Sequence, residues 1–135
     1  MSEEERSFDY EIEKEYKRLV VEYAQALPAK ANDLIKLVDS CFLQSDREAV
    51  KSALDSASKL AHKLAGSAGS HTFHILGEHL QKLNSTLSAL LKDFNLNRLV
   101  EEKPRIKEML SEIERLAKDA SLKSKNTPDG SSKTN

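Results

Sequence analysis

Phe73-His74-Ile75-Leu76-Gly77-Glu78-His79-Leu80-Gln81-Lys82-Leu83-Asn84-Ser85-Thr86-Leu87-Ser88-Ala89-Leu90 carries large apolar side chains at positions 73, 76, 80, 83, 87 and 90. Steps of three and four place all of them on one face of an α-helix, whereas a half-buried strand would need steps of two. The same rhythm runs outward on both sides. Upstream, Val50, Ala53, Leu54, Ala57, Leu60, Ala61, Leu64 and Ala68 form a second row. Downstream, Ile106, Met109, Leu110, Ile113, Leu116, Ala117 and Ala120 form a third.

Two further rows precede these. Phe8, Ile12, Tyr16, Leu19, Val20, Tyr23 and Leu27 make one stripe; Ala31, Leu34, Leu37, Val38 and Cys41 make another, with Ile35 and Phe42 to one side. Pro28 stands between them and reads as the first turn of a new helix. Ser45-Asp46-Arg47-Glu48 has the form of a capping box, so the next helix is predicted to start near Asp46 and run to about Gly69. Asp93 to Asn97 reads as a loop, and Pro104 as a first-turn proline or a kink in the last helix. The fold predicted is all-α: an antiparallel four-helix bundle with an additional N-terminal helix. Residues 1–7 are expected to be a flexible N-terminus, 8–120 the bundle domain, and 121–135 a disordered tail rich in Ser, Lys and Asn.

Composition bounds the function. The chain has 135 residues, enough for one domain and too few for a bundle plus a nucleotide-binding catalytic domain. Lys and Arg number 21 against 22 Asp and Glu, a balance that asks for neither nucleic acid nor an anionic membrane. The single cysteine, Cys41, excludes an internal disulfide and falls on an apolar row, as a small core residue would. No stretch approaches the ~20 apolar residues of a membrane span, and Met1-Ser2-Glu3-Glu4-Glu5-Arg6 leads into no apolar leader. A cytoplasmic location is the expectation. A monomer is expected too, because the helices have one another to bury against.

His62 breaks the pattern. At about 100° per residue, the apolar row of its helix clusters within about 60° of one direction, and His62 lies about 140° away. Gly66 and Gly69 fall on the same outward side. Helical side chains lean toward the N-terminus, so the residue at i+4 covers the side chain at i; over His62 that residue has no side chain. Glycine inside a helix costs roughly 1 kcal/mol relative to alanine, so open access to His62 is a reason for it to be there. An unperturbed imidazole, with a pKa of about 6.5, is mostly neutral at cytosolic pH and offers a nitrogen lone pair to phosphorus. Phosphoryl transfer needs positioning and charge neutralisation more than covalent help. No Gly-rich phosphate loop is present, so the chain is expected to be a phosphocarrier and not an enzyme that uses ATP.

Leu60-Ala61-His62-Lys63-Leu64-Ala65-Gly66-Ser67-Ala68-Gly69 closely resembles the signature of histidine-containing phosphotransfer (HPt) domains, A-H-x-L-[KA]-G-S-[AS]. The resemblance covers roughly residues 8–117 and includes Ala26-Leu27-Pro28 and Leu76, Leu80 and Leu83. It implies a phosphorelay role in which His62 accepts a phosphoryl group on Nε2 from an aspartate of one receiver domain and passes it to another. The partners implied are receiver domains of response regulators or of a hybrid histidine kinase, which supply the Mg²⁺; the chain itself needs no cofactor. Support around the site is expected from Lys59, Lys63, Ala65, Gly66, Ser67, Gly69 and Asn84, and partner contact from Ile35, Ser58, Lys59, Lys63 and Gly66. The chain departs from the pattern in three places. Ala65 stands where many members have lysine. Ser70-His71-Thr72 replaces a glycine that opens the next helix, leaving Thr72 as the expected N-cap. Asn84 occupies a position that is often Glu or Gln, and would reach His62 with a shorter side chain.

Two other classes compete. His71, His74 and Glu78 share a polar face, and with His79 they invite a His-rich metal-binding bundle. No Glu-x-x-His or His-Glu-x-x-His occurs, however, so solvated surface histidines with no metal are the expectation. A non-catalytic helical adaptor bundle would keep the core rows but has no reason for bare surface around His62. A kinase dimerisation helix normally follows its histidine with an acid and then a proline, whereas here Lys63 follows and no proline stands between His62 and Pro104.

Overall fold

The computed structural model describes residues 2–70 and 73–125. They form four helices: α1 (Glu3–Leu43), α2 (Arg47–Ser70), α3 (His74–Lys92) and α4 (Leu96–Lys125). The main packing pairs are α2 with α3, α1 with α4, α1 with α2, and α3 with α4, closing a four-helix ring. No described helix is long and apolar enough to cross a membrane.

The additional N-terminal helix is not a separate element. The two stripes on either side of Pro28 belong to one helix of 41 residues. A proline inside a helix removes one backbone hydrogen bond and costs roughly 3 kcal/mol. Here Ala24, Leu27, Ala31 and Leu34 are at most 4% exposed across that point, on one continuous face. Burying even two leucines is worth about 1.5–3 kcal/mol each, enough to hold the helix through the proline. Residues 3–7, expected to be flexible, are the first turns of α1. Their start is fixed by a capping box: the Ser2 hydroxyl accepts from the Glu5 N–H at 3.1 Å and Glu5 accepts from the Ser2 N–H at 3.0 Å. These hydrogen bonds, backbone first, hold the Glu5 carboxyl below its ordinary pKa.

The remaining boundaries move by a few residues. The cap of α2 is Asp46 and not Ser45: its carboxylate accepts from the Ala49 N–H at 3.0 Å. Asn95 caps α4, its side-chain oxygen accepting from Asn97 and Arg98 N–H at 2.9 and 3.2 Å. α4 runs on through residues 121–125, with Ser121 buried, so the expected tail begins later than Ser121; residues 126–135 lie outside the described part, as do His71 and Thr72.

The core is the set of rows read from the sequence from Leu27 onward. Leu34, Leu54, Leu83, Leu87 and Ile106 have no exposed surface. Cys41 is buried among them, and burial pushes its thiol up to about 11, which makes it a core filler and not a nucleophile. The stripe fails only at its beginning: Phe8, Ile12, Tyr16 and Leu19 are exposed. α1 is longer than α2 and α3, so its N-terminal turns project past the end of the bundle.

Truncating the centre of the core tests the assignment of its rows. Leu83→Ala is expected to lower unfolding free energy by about 2–5 kcal/mol in a denaturant titration, and Ile12→Ala by much less at low protein concentration.

Candidate functional site

α2 and α3 approach closely because of a glycine on α3, Gly77. A Cβ on Gly77 would stand 3.3 Å from the Ala65 carbonyl oxygen and 3.5 Å from the Gly69 nitrogen, so backbone rests nearly on backbone. Beside this contact lies a shallow depression of about 330 Å³. His62, Ala65, Gly66 and Gly69 form its α2 wall; His74, Gly77, Glu78 and Gln81 form its α3 wall.

His62 is exposed, while its neighbours on the inner face, Ala61 and Leu64, are 0% and 5% exposed. Gly66 is exposed one turn further on, and a Cβ there meets nothing within 4 Å. Its missing side chain therefore serves no packing purpose and leaves the approach to His62 open. The same holds for the space at Gly69, whose backbone instead meets Gly77.

The ring of His62 is held from α3. Asn84 Nδ2 lies 3.5 Å from His62 Nδ1, the outer edge of hydrogen-bond reach. Behind it, the Ser58 hydroxyl donates to Asn84 Oδ1 at 2.8 Å and stands 2.8 Å from the Ser88 hydroxyl, which lies 3.3 Å from the same oxygen. Hydroxyls donate and accept, so turning the Asn84 amide over satisfies both serines equally well. In one orientation Asn84 donates to Nδ1 and the imidazole proton sits on Nε2. In the other, Asn84 Oδ1 accepts the Nδ1 proton and the Nε2 lone pair faces solvent.

No lysine or arginine lines the depression. Lys59, one of the expected supports, is tied to Asp55 at 2.9 Å along the helix. Lys63 is exposed, one residue round the helix from His62, and Ala65 is half-buried in the α2 wall. Local charge for a phosphoryl group is thus not built into the depression, and Glu78 adds a negative side chain to it.

Several expected roles shift. Ser58, expected on the partner-contacting surface, is 8% exposed and belongs to the network beneath Asn84. Ser67 faces α1: burial raises the pKa of Tyr23 and a hydrogen bond with Ser67 lowers it. Ile35 is half-buried against the core and does not line the depression. Ser88, Gly77 and Gln81 are not marked by the sequence pattern as site residues, and Glu78 only as part of a possible metal-binding face. Gly77 alone carried a signal there, the same mid-helix cost that marks Gly66. Of the proposed metal-binding face, His74 and Glu78 line the depression and His71 lies outside the described residues; among the described residues no three His, Cys, Asp or Glu side chains group to hold a metal.

Compared with protein-family models, with curated proteins and with solved structures, the chain matches none.

The two glycines separate by substitution. Gly66→Ala is expected to raise stability by up to about 1 kcal/mol, because alanine favours helix and meets open space. Gly77→Leu is expected to lower the melting temperature, because its side chain runs into the α2 backbone. Ser58→Ala should cost about 1 kcal/mol. It should also change the ¹⁵N shifts of the His62 ring, which report which nitrogen carries the proton; unchanged shifts would mean the serines do not govern that ring.

Proposed function

We propose that the chain is a phosphocarrier of a phosphorelay, with His62 as the residue that accepts and donates the phosphoryl group. The observation that carries this reading is an exposed imidazole on a packed helix, approached over a glycine whose side-chain space is empty and steadied at Nδ1 by Asn84. The resemblance of residues 60–69 to the HPt signature points the same way.

In the proposed step the donor is an aspartyl phosphate of a receiver domain. The Nε2 lone pair of His62 attacks phosphorus; the N–P bond forms as the bond from phosphorus to the aspartate oxygen breaks, and the carboxylate leaves with that electron pair. The Nδ1 proton stays in place, accepted by Asn84 Oδ1 in the second amide orientation, so the ring carries a positive charge beside the phosphoryl group. Transfer onward is the reverse, with the carboxylate of a second receiver as nucleophile. A depression without its own cation suits this division of labour: the receiver's bound Mg²⁺ and lysine neutralise the phosphoryl oxygens, and this chain contributes position. Such a partner must leave after transfer, which favours a small interface of about 1,200 Å² or less. Lys63, exposed on α2 beside His62, would meet an acidic receiver pocket and raise the association rate.

Incubation with a phosphorylated receiver domain, followed by intact-mass measurement, tests the reading. One acid-labile phosphoryl group is expected on the wild-type chain and none on His62→Gln; equal labelling of the variant removes His62 from the role. ATP alone should add nothing. Gly66→Gln should keep the fold and slow transfer sharply, because its side chain leans over His62. In an NMR titration with an unphosphorylated receiver, shifts should concentrate on residues 62–69 and 74–81; shifts confined to α4 would place the docking face elsewhere.

A further inference from the structure

We infer that Ser88 is a positioning residue for His62: acting through Ser58 and the Asn84 amide, the direction in which its hydroxyl donates sets which ring nitrogen carries the proton. Four side chains make a continuous line across the α2–α3 pair. Ser88 Oγ stands 2.8 Å from Ser58 Oγ and 3.3 Å from Asn84 Oδ1, and Ser58 Oγ stands 2.8 Å from the same oxygen. The other end of that amide lies 3.5 Å from His62 Nδ1.

The members of this line differ in their access to water. Ser58 is 8% exposed, so its hydroxyl proton has to find an acceptor inside the seam. Ser88 is exposed, so its proton can go to solvent as readily as to the seam. An asparagine amide donates at one end and accepts at the other, and a hydroxyl donates one proton while accepting others. A line built from such groups runs in one of two directions. In the first, His62 Nδ1–H donates to Asn84 Oδ1, Asn84 Nδ2 donates to Ser58, Ser58 donates to Ser88, and Ser88 donates to water. The buried hydroxyl is satisfied and the Nε2 lone pair of His62 faces solvent. In the second, Ser88 donates inward, Ser58 donates to Asn84 Oδ1, and Asn84 Nδ2 donates to His62 Nδ1, which leaves the proton on Nε2. Ser58 donates to a neighbour in both, so it passes the direction on without choosing it. The choice falls to Ser88, the serine that water reaches.

The claim about the proton stands on this geometry, and only its consequence rests on the phosphocarrier reading. For a phosphoryl-accepting His62 the first direction is the nucleophilic one, so a change at Ser88 alters the transfer rate without touching the reacting atoms.

Substitutions at Ser88 of opposite hydrogen-bonding character test this. The ¹⁵N shifts of the His62 ring, taken at about pH 8.5 where an ordinary imidazole is neutral, give the ratio of the two tautomers. Ser88→Ala removes an acceptor for the Ser58 proton, which turns to Asn84 Oδ1 and favours Nε2–H. Ser88→Asp supplies an acceptor that cannot donate, draws in the Ser58 proton and Asn84 Nδ2, and favours Nδ1–H. The two variants should bracket the wild type and differ from each other by roughly fivefold or more, the population change that one net hydrogen bond supports. Equal ratios in the two, or the reverse order, overturn the proposal. Ser88→Thr keeps the hydroxyl and should stay at the wild-type ratio; a departure as large as that of Ser88→Ala removes the hydroxyl from the role, and this pair decides the matter if Ser88→Asp unfolds the chain. In an Asn84→Ala background the line is cut, and Ser88→Ala and Ser88→Asp should give the same ratio. A difference that survives there is the field of the new carboxylate, and also overturns the proposal. With a phosphorylated receiver domain, transfer should slow in Ser88→Ala and quicken in Ser88→Asp. The tautomer ratio is read without phosphoryl transfer, so failure of this inference and failure of the phosphocarrier reading are distinguishable.

Discussion

The close contact of α2 with α3 at Gly77 is the constraint on which the rest of the site depends. With a hydrogen in place of a side chain, Gly77 lies against the carbonyl of Ala65 and the backbone of Gly69. At that separation Leu76, Leu80, Leu83 and Leu87 share one core cluster with Leu54, Ala57, Ala61 and Leu64, and all are at most 5% exposed. The same approach brings the outer edges of the two helices within hydrogen-bond range. Ser58 and His62 on α2 then meet Ser88 and Asn84 on α3, and an asparagine suffices to span a gap that a wider pair would not allow.

A polar seam along the rim of an otherwise apolar interface has a definite energetic logic. Ser58 is nearly buried, and an unpaired hydroxyl there would cost about 1–3 kcal/mol. Its partners are the side chains that orient His62, so the group that stabilises the seam also limits the motion of the imidazole. Rigidity and access are supplied by different features: the seam holds the ring from behind, and Gly66 leaves the front open. In the proposed role, the depression lined without lysine or arginine leaves charge neutralisation to the partner.

α1 shows the opposite balance. From Leu27 to Cys41 its apolar face is covered by the bundle, firmly enough to carry the helix through Pro28. Before Tyr23 the last turns of α4 still run beside it, lining a groove with Tyr16, Lys17, Val20 and Val21. Tyr23 itself stacks on Phe73, with ring centroids 5.9 Å apart, and closes the bundle at that end. Further toward the N-terminus apolar side chains continue at helical spacing, and Phe8 and Ile12 stay exposed among the described residues. An acidic first turn, a capping box and the ion pairs of Arg18 with Glu15 and Glu22 support the helix locally, each at the scale of tenths of a kcal/mol to about 1 kcal/mol. Those terms are small beside the apolar surface left in water.

The amino-acid sequence by itself determined that the chain is helical, which residues make the inner rows from Leu27 to Ala117, and that His62 and Gly66 point outward. Each of these follows from a helix having about 3.6 residues per turn, a property of one segment at a time. It read Pro28 as the start of a new helix, because a local cost of roughly 3 kcal/mol is outweighed only by burial against other helices. It assigned Ser58 to the surface, Phe8 to Leu19 to the core and Ser67 to the histidine for the same reason: periodicity says which face a residue occupies, not what stands opposite. Only the tertiary structure decided that α2 and α3 meet at a glycine, that Ser58 and Ser88 stand behind Asn84 across that pair, and that α1 outruns its neighbours. Those are facts about relative position between segments, fixed by packing distance and helix length, and no single stretch of sequence contains them.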